Sequence, residues 1–218
     1  GGELPNLVMF DLDGTLIDSV PDLAAAVDVM LGQLGRDAAG VEQVRHWVGN
    51  GARVLVRRAL AGDIEHAHIG EAETEQALAL FLEAYAGDHS RSTIYPGVRA
   101  LLDRLQDEQV PLALITNKPS RFVPELLADK QLDGYFRWLV GGDTLPVQKP
   151  DPAALHWVMQ QAGVEAGQAL FVGDSRSDVL AAKAAGVPVV AVSYGYNHGR
   201  PIASENPDLL VDSLDALI

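Results

Sequence analysis

Asp11 and Asp13 stand two residues apart, directly after the apolar run Leu7–Phe10 and directly before Gly14. In an extended chain both side chains point to one face and Leu12 to the other. Two carboxylates this close repel unless a cation lies between them. Oxygen-only ligands favour a hard ion, Mg²⁺. Gly14 permits a tight turn against whatever sits there. Three further clusters carry chemistry of the same kind. Thr116-Asn117 follows Leu112–Ile115, where a hydroxyl and an amide can donate to phosphoryl oxygens. Lys149 is held between Gln148 and the Pro150-Asp151-Pro152 run, which restricts where its ammonium emerges. Asp174 and Asp178 follow Ala169–Val172, four residues apart, so both can face one site from a strand end and the first helical turn. Taken singly, each cluster serves equally well as a polar turn, a surface lysine or a helix cap. Jointly they place polar groups at the ends of the first, second and fourth strands, with a lysine entering between.

The elements that must position these groups are legible as alternation. Short apolar runs recur at Leu7–Phe10, Pro111–Ile115, Trp138–Val140, Ala169–Val172, Val187–Val192 and Leu209–Val211. Between them lie helical stripes: Val98, Leu101, Leu102 and Leu105 share one face, and Ala154, Leu155 and Val158 follow an Asp151-Pro152 helix start. Strands alternating with helices imply a parallel sheet covered on both faces, with ligands at the carboxyl ends of its strands. Residues 19–94 break the pattern. Pro21–Leu34, Val41–Leu60 and Ala72–Tyr85 have helical period and no convincing strand, and this stretch is too long for an ordinary loop. The expected fold class is therefore α/β: a doubly wound, Rossmann-like core (1–18 and 95–218) with an all-helical cap domain (19–94) inserted between the first and second strands. The polar Ser90–Thr93 stretch suits one side of a hinge.

Composition bounds the function. The chain has 218 residues, 48% hydrophobic and 21% charged, and 30 acidic against 16 basic residues leave a net charge of −14. That sign disfavours nucleic acid and anionic membrane surfaces as partners. The absence of cysteine removes disulfides, zinc–thiolate sites and a cysteine nucleophile. No apolar run approaches a membrane span, and no basic-then-apolar secretory pattern opens the chain. The expectation is a cytoplasmic protein; oligomeric state is not legible.

At these residues the sequence resembles the haloacid dehalogenase-like hydrolase superfamily. Asp11-Leu12-Asp13-Gly14-Thr15-Leu16 matches its first motif, Thr116 its second, Lys149 its third, and Gly173-Asp174 through Asp178 its fourth. The insertion sits where that family carries a helical cap. Within the superfamily, Asp18–Leu23 together with Trp47–Gly51 resembles the bacterial phosphoglycolate phosphatase subfamily. The resemblance implies a Mg²⁺-dependent phosphomonoesterase acting on a small-molecule phosphate ester, 2-phosphoglycolate first among them, through an aspartyl-phosphate on Asp11. Asp13 is implied as general acid and base. Asp11, the backbone carbonyl of Asp13, and Asp174 are implied as metal ligands. Thr116, Asn117 and Lys149 would fix the phosphoryl oxygens, and Asp178 would orient Lys149 or a metal-bound water. A sugar-phosphate phosphatase or phosphosugar mutase shares the core motifs, and a catalytically inactive binding module is the reading from another class. Phosphonate hydrolysis in this superfamily needs a cap lysine, and residues 19–94 contain none.

Two further features are less specific. Gly49-Asn50-Gly51 with Arg53 reads either as a cap loop contacting substrate, Arg53 pairing a carboxylate, or as a helix–helix turn with a solvated arginine. Arg57-Arg58 reads as a helix face, His66 and His68 as exposed, Thr116-Asn117 alternatively as a turn and helix cap before Lys118-Pro119-Ser120, and Tyr194–Gly199 as a mobile loop after a strand or as a border of the site.

Overall fold

The computed structural model describes residues 4–218. Six parallel strands form one sheet: β1 (Leu7–Phe10), β4 (Leu112–Ile115), β5 (Trp138–Val140), β6 (Ala169–Gly173), β7 (Val189–Val192) and β8 (Leu209–Val211). Their spatial order is β5-β4-β1-β6-β7-β8. Strand β1 is thus central, hydrogen-bonded in parallel to β4 on one side and β6 on the other. After β1 the chain builds outward through β4 and β5, then returns across β1 to build β6 to β8. The order reverses beside β1, which is where an open α/β sheet leaves a crevice for ligand.

Side-chain alternation along each strand feeds two cores. Val8, Phe10, Leu112, Leu114 and Val172 pack on one face with Val98, Leu101, Leu102 and Leu105 of helix α5 (Val98–Asp107). Leucines of α6 (Val123–Asp129) complete that layer. Leu7, Met9, Ala113, Ile115 and Phe171 point to the opposite face, against α7 (Ala153–Ala162) and α8 (Arg176–Ala185). Strands buried on both faces need no polar positions, hence the unbroken apolar runs. Each fully buried side chain of this size contributes about 1.5–3 kcal/mol of transfer free energy.

Four helices occupy the insertion: α1 (Val20–Gln33), α2 (Val41–Trp47), α3 (Ala52–Ala61) and α4 (Glu71–Tyr85). They share their own apolar cluster, into which Phe122 and Tyr196 project from the sheet side. The helical run Val41–Leu60 is interrupted at Val48–Gly51, where Gly49 and Gly51 adopt positive φ angles of 125° and 91° that break the helix. One expectation fails here. Residues Thr93–Ile94 form a strand, β3, antiparallel to β2 (Ile17–Asp18). This ribbon carries the chain into and out of the helices. The buried Asp22 carboxylate anchors it by accepting from Ser92 Oγ at 2.6 Å. Among the described residues, no helix is long and apolar enough to cross a membrane.

Candidate active site

Asp11 follows β1, Thr116 follows β4 and Asp174 follows β6, so three adjacent strands deliver the first, second and fourth clusters to one point. Asp11, Thr116, Lys149, Asp174 and Asp178 are all buried. Carboxylate oxygens of Asp11, Asp174 and Asp178 lie within 4.8 Å of one another. Lys149 enters from the loop before α7. Its ammonium stands 3.0 Å from Asp11, 2.6 Å from Asp178 and 2.8 Å from the Ile115 carbonyl. Three acceptors account for its three N–H donors. Lys149 thus sits beside and behind Asp11, holding that carboxylate, and is not among the residues lining the cavity.

Asp178 spends both oxygens on the scaffold. One takes Lys149, and the other accepts from the backbone N–H groups of Asp174 and Ser175 at 3.0 and 3.2 Å, closing a capping box with Ser175 on α8. Of the two partners its motif position implied, Lys149 or a metal-bound water, it bonds Lys149 directly. Asp174 is steadied by Thr15 Oγ at 3.1 Å and by the Tyr196 backbone N–H at 2.7 Å. Gly14 is required beside it: at φ 83°, a Cβ would fall 2.1 Å from Asp174 Oδ2. No L side chain is accommodated there.

Burial, then the neighbouring Asp178 charge, pushes the Asp11 carboxyl up to about 7, against the downward pull of Lys149. Burial, then Asp11 and Asp178, pushes Asp174 up as well. Three buried carboxylates share one ammonium, which leaves negative charge that the protein does not offset. The all-oxygen donor set and this uncompensated charge fit a hard divalent cation.

Asp13 lies toward solvent from this trio. Its carboxylate accepts from Ser19 Oγ and from Lys118 Nζ, the latter at 2.9 Å. Only the Asp13 carbonyl remains available in the metal role the motif implied; its side chain is turned away to Lys118. Thr116 Oγ accepts from the Lys118 backbone N–H at 3.0 Å, which leaves its own O–H free to donate. Both residues line a cavity of about 60 Å³ closed by Leu23, Val48, Leu55, Phe81 and Phe122.

Other expectations change. Asn117 lines the cavity, while its side-chain amide donates to the carbonyls of Gly49 and Lys149 and accepts from the Lys149 N–H, each at 3.0 Å. It ties the α2–α3 loop to the Lys149 loop. Gly49 lines the cavity, whereas Asn50 turns its amide oxygen to Arg58 at 2.7 Å. Arg53 is not at the site. It projects outward to Glu71 and Glu75 on α4. Arg58 is half-buried, bonding the Trp47 and Ile64 carbonyls, and Arg57 holds His66 by Nδ1 and carbonyl, so neither is a plain solvated face. Tyr196 is buried, its N–H on Asp174 and its hydroxyl on Asp18, so that loop is part of the site wall. The residues missed were Lys118 and Tyr85. The available signal was position: Lys118 directly follows Thr116-Asn117 and is one of only four lysines.

A family model described as haloacid dehalogenase-like hydrolase matches residues 8–192. The chain belongs to that family. It is 66% identical over 217 residues to a Pseudomonas putida protein named phosphoglycolate phosphatase, covering 100% of this chain and 80% of that one. It is likewise 66% identical to phosphoglycolate phosphatase 1 of Pseudomonas aeruginosa, covering 99% and 79%. Among solved structures, a Haemophilus somnus protein described as a predicted phosphoglycolate phosphatase superposes with a TM-score of 0.91 at 36% identity, covering 100% of this chain and 98% of that one.

Proposed function

We propose that this hydrolase is a Mg²⁺-dependent phosphatase that converts 2-phosphoglycolate to glycolate and phosphate, with residues 19–94 acting as a cap over the core of residues 1–18 and 95–218. The observation that carries the reading is the pairing of two carboxylates with different surroundings at one strand end. Asp11 is deep, pinned by Lys149; Asp13 is shallower, facing the cavity with Lys118. Two carboxylates separated in environment divide into nucleophile and acid/base.

In the first half-reaction an Asp11 oxygen attacks phosphorus and the bond to the ester oxygen breaks. Asp13 donates a proton to the departing alkoxide. In the second, Asp13 takes a proton from the water that attacks the aspartyl-phosphate, freeing phosphate and restoring Asp11. Lys149 draws Asp11 toward the anionic form and fixes its rotamer, while Asp178 fixes Lys149. The Thr116 hydroxyl donates to a phosphoryl oxygen. Mg²⁺, held by Asp11, Asp174 and the Asp13 carbonyl, would supply charge compensation between the carboxylates and a dianionic substrate. The helices shield the labile acyl phosphate from bulk solvent, apart from the water that Asp13 activates.

The cavity wall favours a small acid over a sugar phosphate. Along its apolar stretch, Leu23, Val48, Leu55, Phe81 and Phe122 offer no partners to sugar hydroxyls. The names of the Pseudomonas putida and Pseudomonas aeruginosa relatives, both phosphoglycolate phosphatases at 66% identity, support the same substrate. The test is phosphate release from a panel of small esters with Mg²⁺ and no bisphosphate activator. The expected result is strongest turnover of 2-phosphoglycolate; a requirement for a bisphosphate activator would favour a mutase, and preference for a sugar phosphate would remove the substrate assignment.

A further inference from the structure

A substrate with a carboxylate needs a cation for it, and the geometry leaves one available. The insertion has six arginines, yet none lines the cavity. Arg36 and Arg53 pair with surface glutamates, Arg57 and Arg58 brace loops, Arg45 lies over the Tyr196 ring and Arg91 faces Asp22 and Asp88. Lys149 is spent on Asp11, Asp178 and Ile115. Lys118 is the one cationic side chain on the cavity wall among the described residues.

Lys118 is buried, and its side chain makes a single hydrogen bond, to Asp13 at 2.9 Å. Its ammonium also lies 4.6 Å from the centre of the Tyr85 ring, a cation–π contact made by the last residue of α4. An ammonium has three donors, so Lys118 keeps N–H groups unassigned in an apolar enclosure. Tyr85 shows the same deficiency. It is 2% exposed, it lines the cavity, and its hydroxyl has no hydrogen-bond partner among the described residues. A buried hydroxyl without a partner is costly in a folded protein and marks a place where a ligand completes the network. Two unsatisfied donors, one charged, thus meet on the same wall, beside the leucine, valine and phenylalanine side chains that close the cavity.

Resting on the phosphoglycolate reading, we infer that Lys118 and Tyr85 form the subsite for the substrate's carboxylate. The placement suits the chemistry. Asp13 must reach the ester oxygen, and the carboxylate carbon of phosphoglycolate stands two bonds from that oxygen. An ammonium already bonded to Asp13 is therefore positioned to bond the carboxylate as well. Lys118 comes from the strand side and Tyr85 from the insertion, so the carboxylate is gripped only when helices and sheet are together. A substrate lacking the carboxylate would leave both donors unpaired, which is the strongest basis for rejecting an analogue.

The test compares kcat/KM for 2-phosphoglycolate with that for ethyl phosphate, which keeps the phosphate and the two-carbon chain but has no carboxylate. Wild-type protein, Lys118→Met and Tyr85→Phe are measured with Mg²⁺. Wild type should prefer 2-phosphoglycolate. Lys118→Met slows both esters through Asp13, a loss that cancels in the ratio; the ratio itself should fall roughly a hundredfold, and Tyr85→Phe should lower it roughly tenfold. An unchanged ratio in both variants overturns the subsite while leaving the substrate assignment standing. Wild type without any preference removes the phosphoglycolate reading and the subsite with it. If Lys118→Met does not fold, Tyr85→Phe decides alone, since it removes one oxygen and keeps the ring: an unchanged ratio there overturns the subsite.

Discussion

The Lys149 ammonium stands 3.0 Å from the Asp11 carboxylate, and both groups are buried. This ion pair joins the loop before α7 to the end of β1, and through Asp178 to α8. One cation therefore holds together the nucleophile and the strand-end scaffold around it.

Replacing that cation has a calculable consequence. Lys149→Met leaves Asp11 and Asp178 buried without their partner, which should cost about 3–5 kcal/mol of stability. The denaturant midpoint at pH 8 reports it, and turnover of phosphate esters should be lost. A variant as stable as wild type would show that Lys149 is not carrying this charge.

Asp11 sets a pH dependence. Its folded-state value, about 7, lies above the 3.8 expected for the unfolded chain. Between those limits the folded protein holds a proton that the unfolded chain has released, so stability falls as pH rises. The contribution is complete below about pH 4 and lost through about pH 7. Chelator-treated protein should thus lose stability between pH 5 and pH 8, roughly as the carboxyl ionises. Asp11→Asn should flatten that slope, and saturating Mg²⁺ should reverse the loss at the alkaline end. A slope of the opposite sign in chelated protein would contradict the assignment.

Asp13→Ala should slow hydrolysis of an alkyl phosphate by about 10²–10⁴-fold. An aryl phosphate, whose leaving group needs no proton, should suffer less. Comparable losses on both esters would count against Asp13 as the acid.

Arg53→Ala should change kcat/KM for 2-phosphoglycolate by less than about twofold, because its partners are the exposed Glu71 and Glu75. A large rise in KM would place Arg53 on the substrate after all.

Much of this architecture was legible because it depends on local chain order. Alternating apolar runs such as Leu7–Phe10 and Ala169–Val172 declare buried strands, and Asp11, Thr116 and Asp174 sit one or two residues past such a run. Their convergence then follows from the strand order alone. What could not be read was the direction of side chains whose targets lie far along the chain. Asn117 reaches Gly49 and Lys149, Arg53 reaches α4, and Lys118 reaches back to Asp13. The two-residue strand β3 was equally hidden, since its only partner is the equally short β2. Tyr85 reads as one more apolar position on an amphipathic helix; only packing reveals that its hydroxyl faces a cavity.

The central claim is that Asp11 carries the phosphoryl group. Protein turning over 2-phosphoglycolate with Mg²⁺ can be acid-quenched within the first turnover and reduced with borohydride, which converts an aspartyl-phosphate to homoserine. Peptide mass spectrometry should then find homoserine at position 11 and nowhere else, with none formed in Asp11→Asn. Homoserine at another aspartate, or continued phosphate release by Asp11→Asn, would contradict the mechanism.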